Sequence, residues 1–121
     1  MRNAEFAERF RERTKQYAIR ATRLYRALPD RGEGQIFGKQ FLRAATSTAA
    51  NYRSACRARS AKEFHAKISI VTEEADESCF WMELMIETNL LPERKVKPLL
   101  TEGQEITAVA AKARHTARSK K

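Results

Sequence analysis

The feature that most constrains this chain is where its helix breakers fall. Only four Gly and three Pro occur in 121 residues, confined to a few places, so long stretches carry nothing that interrupts helical backbone. Along those stretches apolar side chains recur at three- and four-residue steps, the period of an amphipathic helix. An all-β chain needs frequent turns, and this sequence lacks them.

Four segments follow. The first helix is expected from about Asn3 to Leu28, with Phe6, Phe10, Tyr17, Ala21, Leu24 and Leu28 on one stripe, and it stops in the run from Pro29 to Gly34. A second is expected from about Gln35 to Arg57. Its middle, Ala44 to Asn51, is so rich in small residues that another backbone can approach closely, which places it at the centre of the packing. The third begins with Ser60-Ala61-Lys62-Glu63, a capping box in which Ser and Glu each satisfy a backbone N–H that the first helical turn leaves unpaired. It is expected to end near Asn89. Pro92 suits the first position of the fourth helix, where its missing N–H matters least. Gly103 lies inside that helix, at a cost of about 1 kcal/mol against Ala, and is expected to mark a close helix contact.

Four such helices on short connections predict an all-α protein, an antiparallel up-down-up-down four-helix bundle. Residues 1–121 make a single domain, large enough for one core, with a basic tail from about residue 115 expected to fray. No apolar run approaches the roughly 18 residues of a membrane span, so no membrane partner is expected. The opening Met1-Arg2-Asn3-Ala4-Glu5 precedes no apolar signal segment, and a cytoplasmic location follows as the expectation. Cys56 and Cys79 belong to no metal-binding or redox spacing and read as two thiols.

Catalytic chemistry finds no residues to work with. His65 stands two residues after Glu63 and so on another helical face, and His115 has no acid at helical spacing, which removes a carboxylate–histidine di-metal site. Gly32-Glu33-Gly34 lacks the strand and the Lys-Ser/Thr that a phosphate loop requires. Ser47 and Ser54 have no base nearby in the sequence. No catalytic residue, metal or cofactor is expected, and the chain reads as non-enzymatic.

Charge is the remaining signal. The formal net charge is +9 and the isoelectric point near 10.0, a balance that favours anionic partners. From Ser60 to Pro92 seven acids stand against two lysines, a local −5 that leaves +14 for the rest of the chain. This acidic third helix either pairs with basic neighbours in the same molecule, Arg53 and Arg57 being natural candidates, or meets a basic face of another subunit. Glu74, Glu77 and Trp81 are accordingly bundle or subunit contacts. The basic residues Arg9, Arg13, Arg20, Arg23, Arg43, Arg114 and Arg118 are the candidates for contact with nucleic-acid phosphates, with Lys112, Lys120 and Lys121 extending the surface. Tyr25 is the best candidate for an exposed stacking aromatic.

The run from Thr46 through Ala49-Ala50-Asn51-Tyr52-Arg53-Ser54-Ala55 is followed by Ser60 to Phe64, Glu73-Glu74-Ala75-Asp76-Glu77-Ser78 and Trp81-Met82-Glu83-Leu84. This pattern resembles the four-helix bundle proteins first noted as products of intervening sequences in bacterial 23S ribosomal RNA genes. That family is related to the accessory variability determinant of diversity-generating retroelements. The likeness is strongest over the second and third helices and extends to the whole chain in length and helix order. Many members carry Glu-Gly after the Asn of the second helix, where this chain has Tyr52 and Arg53. The resemblance implies a bundle that assembles as a homo-oligomer, often a pentameric ring, and acts by binding nucleic acid or a nucleic-acid enzyme. Asn51, Arg53 and Arg57 then organise the bundle or its subunit contact. Residues and resemblance together lead us to expect a non-enzymatic, homo-oligomeric basic scaffold that binds RNA or DNA through phosphate contacts. The alternative is a protein–protein interaction module with no direct nucleic-acid role.

Overall fold

A computed structural model describes residues 2–119, with the side chains of 4–117. It contains four helices, α1 (Arg2–Ala27), α2 (Gly32–Ala55), α3 (Ala61–Glu87) and α4 (Glu93–Ser119). No strand occurs among the described residues. Local chemistry accounts for each boundary. Ser60 caps α3 in extended backbone, its Oγ accepting the Glu63 N–H at 3.0 Å. Glu63 Oε1 in return accepts the Arg59 N–H at 2.6 Å, one residue ahead of the position a standard capping box serves. That bond, with the nearby Arg59 guanidinium, holds the Glu63 carboxyl below its usual range.

α3 ends in a Schellman motif. Asn89 takes a left-handed φ of 59°, Leu90 N–H reaches the Met85 carbonyl at 2.9 Å and Asn89 N–H reaches Ile86 at 3.0 Å. α2 starts at Gly32, three residues before the expected Gln35, and closes at Ala55 instead of Arg57. Gly34 sits in its first turn, where an added Cβ would lie 2.5 Å from the Pro29 carbonyl oxygen. Pro92 stands just ahead of α4, its carbonyl accepting the Lys95 N–H at 3.0 Å. Pro98 lies within α4, which continues through it although a proline cannot donate to the preceding turn. The helix is described as far as Ser119, and the rest of the tail expected to fray lies outside the described residues. The Ala-rich segment from Val109 to Ala117 has the propensity to carry it on.

The helices form an antiparallel four-helix bundle in which each packs on its neighbours in chain order and α1 closes lightly on α4. α2 packs between α1 and α3, and among the described residues its backbone makes no close approach to that of α4. Its small residues serve the pairing with α3: Ala44, Ala45 and Thr48 are wholly buried, and Thr48 Oγ1 donates back to the Ala44 carbonyl at 2.8 Å. Phe41, Ile68, Met82, Met85 and Ile106 fill the core. One polar cluster crosses it. The buried hydroxyls of Tyr17 (α1) and Ser78 (α3) lie 2.7 Å apart beside Cys79 and Gly103. Every buried side-chain nitrogen and oxygen among the described residues has a hydrogen-bond partner.

Candidate nucleic-acid interface

Antiparallel packing brings the start of α1, the end of α2, the start of α3 and the end of α4 to one end of the bundle. Phe10 of α1 meets Tyr52 of α2 edge-on with ring centroids 4.7 Å apart. Phe6, Tyr52, Phe64, Val109 and Ala113, one or more from each helix, line a common apolar cleft of about 740 Å³. The charge divides along the same axis. Among the described side chains, those of residues 4–14, 44–73 and 106–117, the half containing this end, carry ten Lys and Arg against five Asp and Glu. Residues 15–43 and 74–105, the other half, carry ten against ten. The positive excess of the described side chains therefore belongs to one half of the molecule.

The acids of the neutral half hold arginines across helix seams. Arg13 of α1 donates from Nε and Nη2 to the two carboxylate oxygens of Glu102 at 2.7 and 2.8 Å, and from Nη2 to Glu105 at 2.7 Å. This paired fork ties α1 to α4 where their packing is thinnest. It raises the Arg13 guanidinium further above its usual value and holds the Glu102 carboxyl below its own. Arg43 of α2 bridges Glu74 at 3.3 Å and Glu77 at 2.9 Å on α3. Those acids also raise its pKa.

The structure thus sorts the residues picked from the sequence. Arg13 and Arg43 are clamps within the bundle, and Arg43, not Arg53 or Arg57, is the partner of the acids on α3. Arg53 and Arg57 are exposed at the basic end and form no ion pair among the described residues. Arg9 is exposed at the same end and only grazes Glu5, at 4.0 Å. Arg114 is half-buried there, and the Arg118 side chain lies outside the described residues. Arg20 and Arg23 belong to the neutral half, where they line a shallow groove of about 330 Å³ between α1 and α4 with Lys95 and Pro98.

Asn51 turns inward along its own helix, Nδ2 donating at 2.9 Å to both the carbonyl and the hydroxyl of Ser47. Trp81 is half-buried between Phe37 and Phe80, and its Nε1–H donates to Glu77 at 3.1 Å. Tyr25 is half-buried against Gly38, so it is not the exposed aromatic. Phe6 takes that place, 46% exposed within the basic half. Sequence reasoning missed Arg11, Lys62 and the two histidines as members of one surface. They lie far apart in the chain, and only the antiparallel topology gathers them.

Two further observations concern the outside of α3. Opposite its buried Ile68, Val71, Ala75 and Met82 it exposes Ile70 and Phe80, 38% and 48% accessible, so the helix is apolar on more than its core face. Exposed Glu73, Asp76 and Glu83 flank them. Among the described residues there is no group of three or more potential metal-binding His, Cys, Asp or Glu side chains, and no helix long and apolar enough to cross a membrane.

The molecule is an antiparallel four-helix bundle with a basic end and an acidic, partly apolar outer helix. Residues 9–112 match the 23S rRNA-intervening sequence proteins, and the chain belongs to that family. Among solved structures it is similar to a protein of unknown function from Bacteroides thetaiotaomicron, described as a member of the S23 ribosomal protein family. The TM-score is 0.80 at 29% identity, over 86% of this chain and 96% of that one. No curated protein matches the chain.

Proposed function

We propose that this protein is a non-enzymatic scaffold that binds nucleic acid through its basic end and acts as a homo-oligomer. The reading is carried by the confinement of the described side chains' positive excess, ten Lys and Arg against five Asp and Glu, to one half of the bundle. Arginine and lysine side chains there are exposed, come from all four helices and face few acids, the arrangement that phosphate contacts require. Arg9 and Arg114 belong to this surface, joined by Arg53, Arg57 and Lys112. Arg20 and Arg23, in the neutral half beside Lys95 and Pro98, stand outside it. Contacts of this kind attach to the backbone and read little sequence. Exposed Phe6 beside the apolar cleft favours single strands, whose bases can stack on it.

Assembly rests on α3. Its outer face presents Ile70 and Phe80 among Glu73, Asp76 and Glu83, and a second copy offers the complementary basic surface. A pentameric ring is the arrangement we propose for such contacts. Fluorescence anisotropy with labelled RNA and DNA across a salt series tests the binding. Reversing Arg9, Arg57 and Lys112 to Glu should lower the salt slope by about one for each phosphate no longer engaged, while Arg23→Glu with Lys97→Glu should change it less. Equal losses from both ends, or no binding at low salt, would remove the reading. Light scattering on Phe80→Lys and Ile70→Asp tests assembly, and an unchanged mass in both would exclude this face.

A further inference from the structure

Protein cores are close-packed, yet the helices leave a cleft of about 740 Å³ where the start of α1 meets the end of α4. Side-chain size is the cause. Arg13 with Glu102 and Glu105 closes the α1–α4 seam on one side of the cleft. Beyond that clamp α4 turns Val109, Ala113 and Ala117 toward Phe6 and Ala7 of α1, and side chains this short do not fill the space. No carboxylate lines the cleft. Its one charged lining group is Lys112, exposed at the rim and absent from the ion pairs of the described residues. Exposed Arg11, also outside those pairs, lies near enough to Tyr52 to act on its hydroxyl electrostatically, and that hydroxyl is itself engaged by Cys56. The cleft is therefore hydrocarbon within and cationic at its edge.

We propose that the cleft binds a long-chain carboxylate, its hydrocarbon chain between α1 and α4 and its head group on Lys112. A twelve-carbon chain, at about 30 Å³ per carbon, the share of one water molecule, takes about 360 Å³ and fits with room to bend. A volume of this size is also within the range of small-ligand sites. A helical peptide does not fit. From Val109 to Ala117 the cleft runs about 12 Å, which gives it a mean cross-section of about 60 Å², against about 80 Å² for a helix 10 Å across with its side chains. A nucleobase would bury its polar edge against a lining that offers it few partners. A carboxylate head favours Lys112, and a cationic one is repelled by it. The inference goes beyond the nucleic-acid reading and does not rest on it, since that reading uses the cations around this end and not the cleft.

Isothermal titration calorimetry of the intact protein with octanoate, decanoate and dodecanoate, each below its micelle concentration, tests the site. One molecule should bind per chain, with affinity rising about tenfold for every two carbons added. Dodecanoate should also raise the thermal midpoint, as a ligand of the folded state does. Lys112→Gln should weaken dodecanoate about fivefold and leave dodecanol unchanged. Ala113→Leu puts three further carbons into the cleft and should lower affinity more than tenfold. Circular dichroism checks its fold, and Ala117→Leu, one turn nearer the helix end, repeats the measurement. An affinity independent of chain length, or dodecylamine binding as tightly as dodecanoate, would overturn the proposal. So would undiminished binding to both leucine variants, or uptake of many molecules with a lowered midpoint, which is the action of a detergent. Anionic vesicles or a single-stranded oligonucleotide that bind where dodecanoate does not, and are lost in the leucine variants, would give the cleft to another occupant and overturn it as well.

Discussion

Gly103 offers the sharpest test of how tightly α4 is set against the bundle. An added Cβ there would lie 2.5 Å from Tyr17 Oη, 2.8 Å from Cys79 Sγ and 3.1 Å from Tyr17 Cζ, all inside ordinary contact. Tyr17 is wholly buried and its hydroxyl is held at 2.7 Å by Ser78, so the ring cannot retreat without giving up that bond. Overpacking of this degree costs about 1–3 kcal/mol. Replacing Gly by Ala inside a helix returns at most about 1 kcal/mol. Gly103→Ala should therefore destabilise by about 1–2 kcal/mol, lowering the thermal midpoint by about 5 °C for a domain of this size. Tyr17→Phe removes the closest of the three contacts, and Ser78 keeps its bond to the Ala75 carbonyl at 2.7 Å. In that background the cost of Gly103→Ala should fall by about half, a coupling that a double-mutant cycle in urea measures. A Gly103→Ala protein as stable as the parent, or equal costs in both backgrounds, would refute the argument from close approach.

Asn89 should tolerate Gly without loss, whereas Asn89→Ala should cost about 1 kcal/mol because a φ of 59° is open to Gly and Asn but disfavoured for Ala; equal losses in chemical denaturation would assign the effect to the side chain instead. Arg13→Gln should lose about 1 kcal/mol at neutral pH, and it should flatten the acid limb of the stability curve. The sign follows from Glu102, whose carboxyl is held below its ordinary 4.5: the contribution is complete above that value and is lost as pH falls through the lowered one, because the unfolded chain takes up the proton first. Urea midpoints at pH 7 and pH 3 that differ equally in parent and variant would exclude this role. Cys79, buried and with its thiol pushed up to about 11 by desolvation, should resist a disulfide reagent until the bundle opens, while half-buried Cys56 reacts first; simultaneous labelling would contradict the packing.

The elements were legible because their signals are local. Ser60 and Glu63 announce the start of α3 through bonds that span four residues, and the stripe from Ile68 to Met85 needs only helical periodicity to be read. Gly103 was legible as a close contact because a glycine inside a helix needs a compensating reason. The start of α2 was misplaced because Gly32, Glu33 and Gly34 read as a turn. Tertiary contact with Pro29 makes one of those glycines part of the helix. The partners of charged residues were the least legible. Arg43 and Arg53 sit on the same helix ten residues apart, and nothing local says that the first meets Glu74 and Glu77 while the second faces solvent. The grouping of His65 with His115 depends likewise on the register of α3 against α4.

The position of the ion pairs bears on how the surplus charge acts. A helix of 26 or 27 residues is about 40 Å long, so the centres of the basic and neutral halves lie about 20 Å apart. The screening length at physiological salt is about 8 Å, well under that separation. Apart from Glu102 and Glu105, which hold Arg13 at the boundary, the acids of the neutral half therefore do little to cancel the field at the basic end. Glu74, Glu77, Glu102 and Glu105 are moreover occupied by Arg43 and Arg13. An approaching phosphate chain meets the basic half as a nearly uncompensated surface, although ten acids reside elsewhere on the same small molecule. The same geometry leaves the acids of α3 that form no such pair, Glu73, Asp76 and Glu83, beside exposed Ile70 and Phe80, a surface suited to another copy and unsuited to nucleic acid. The surfaces proposed for binding and for assembly thus adjoin along α3, where Ile70 and Glu73 lie in the basic half and Phe80 and Glu83 in the neutral one.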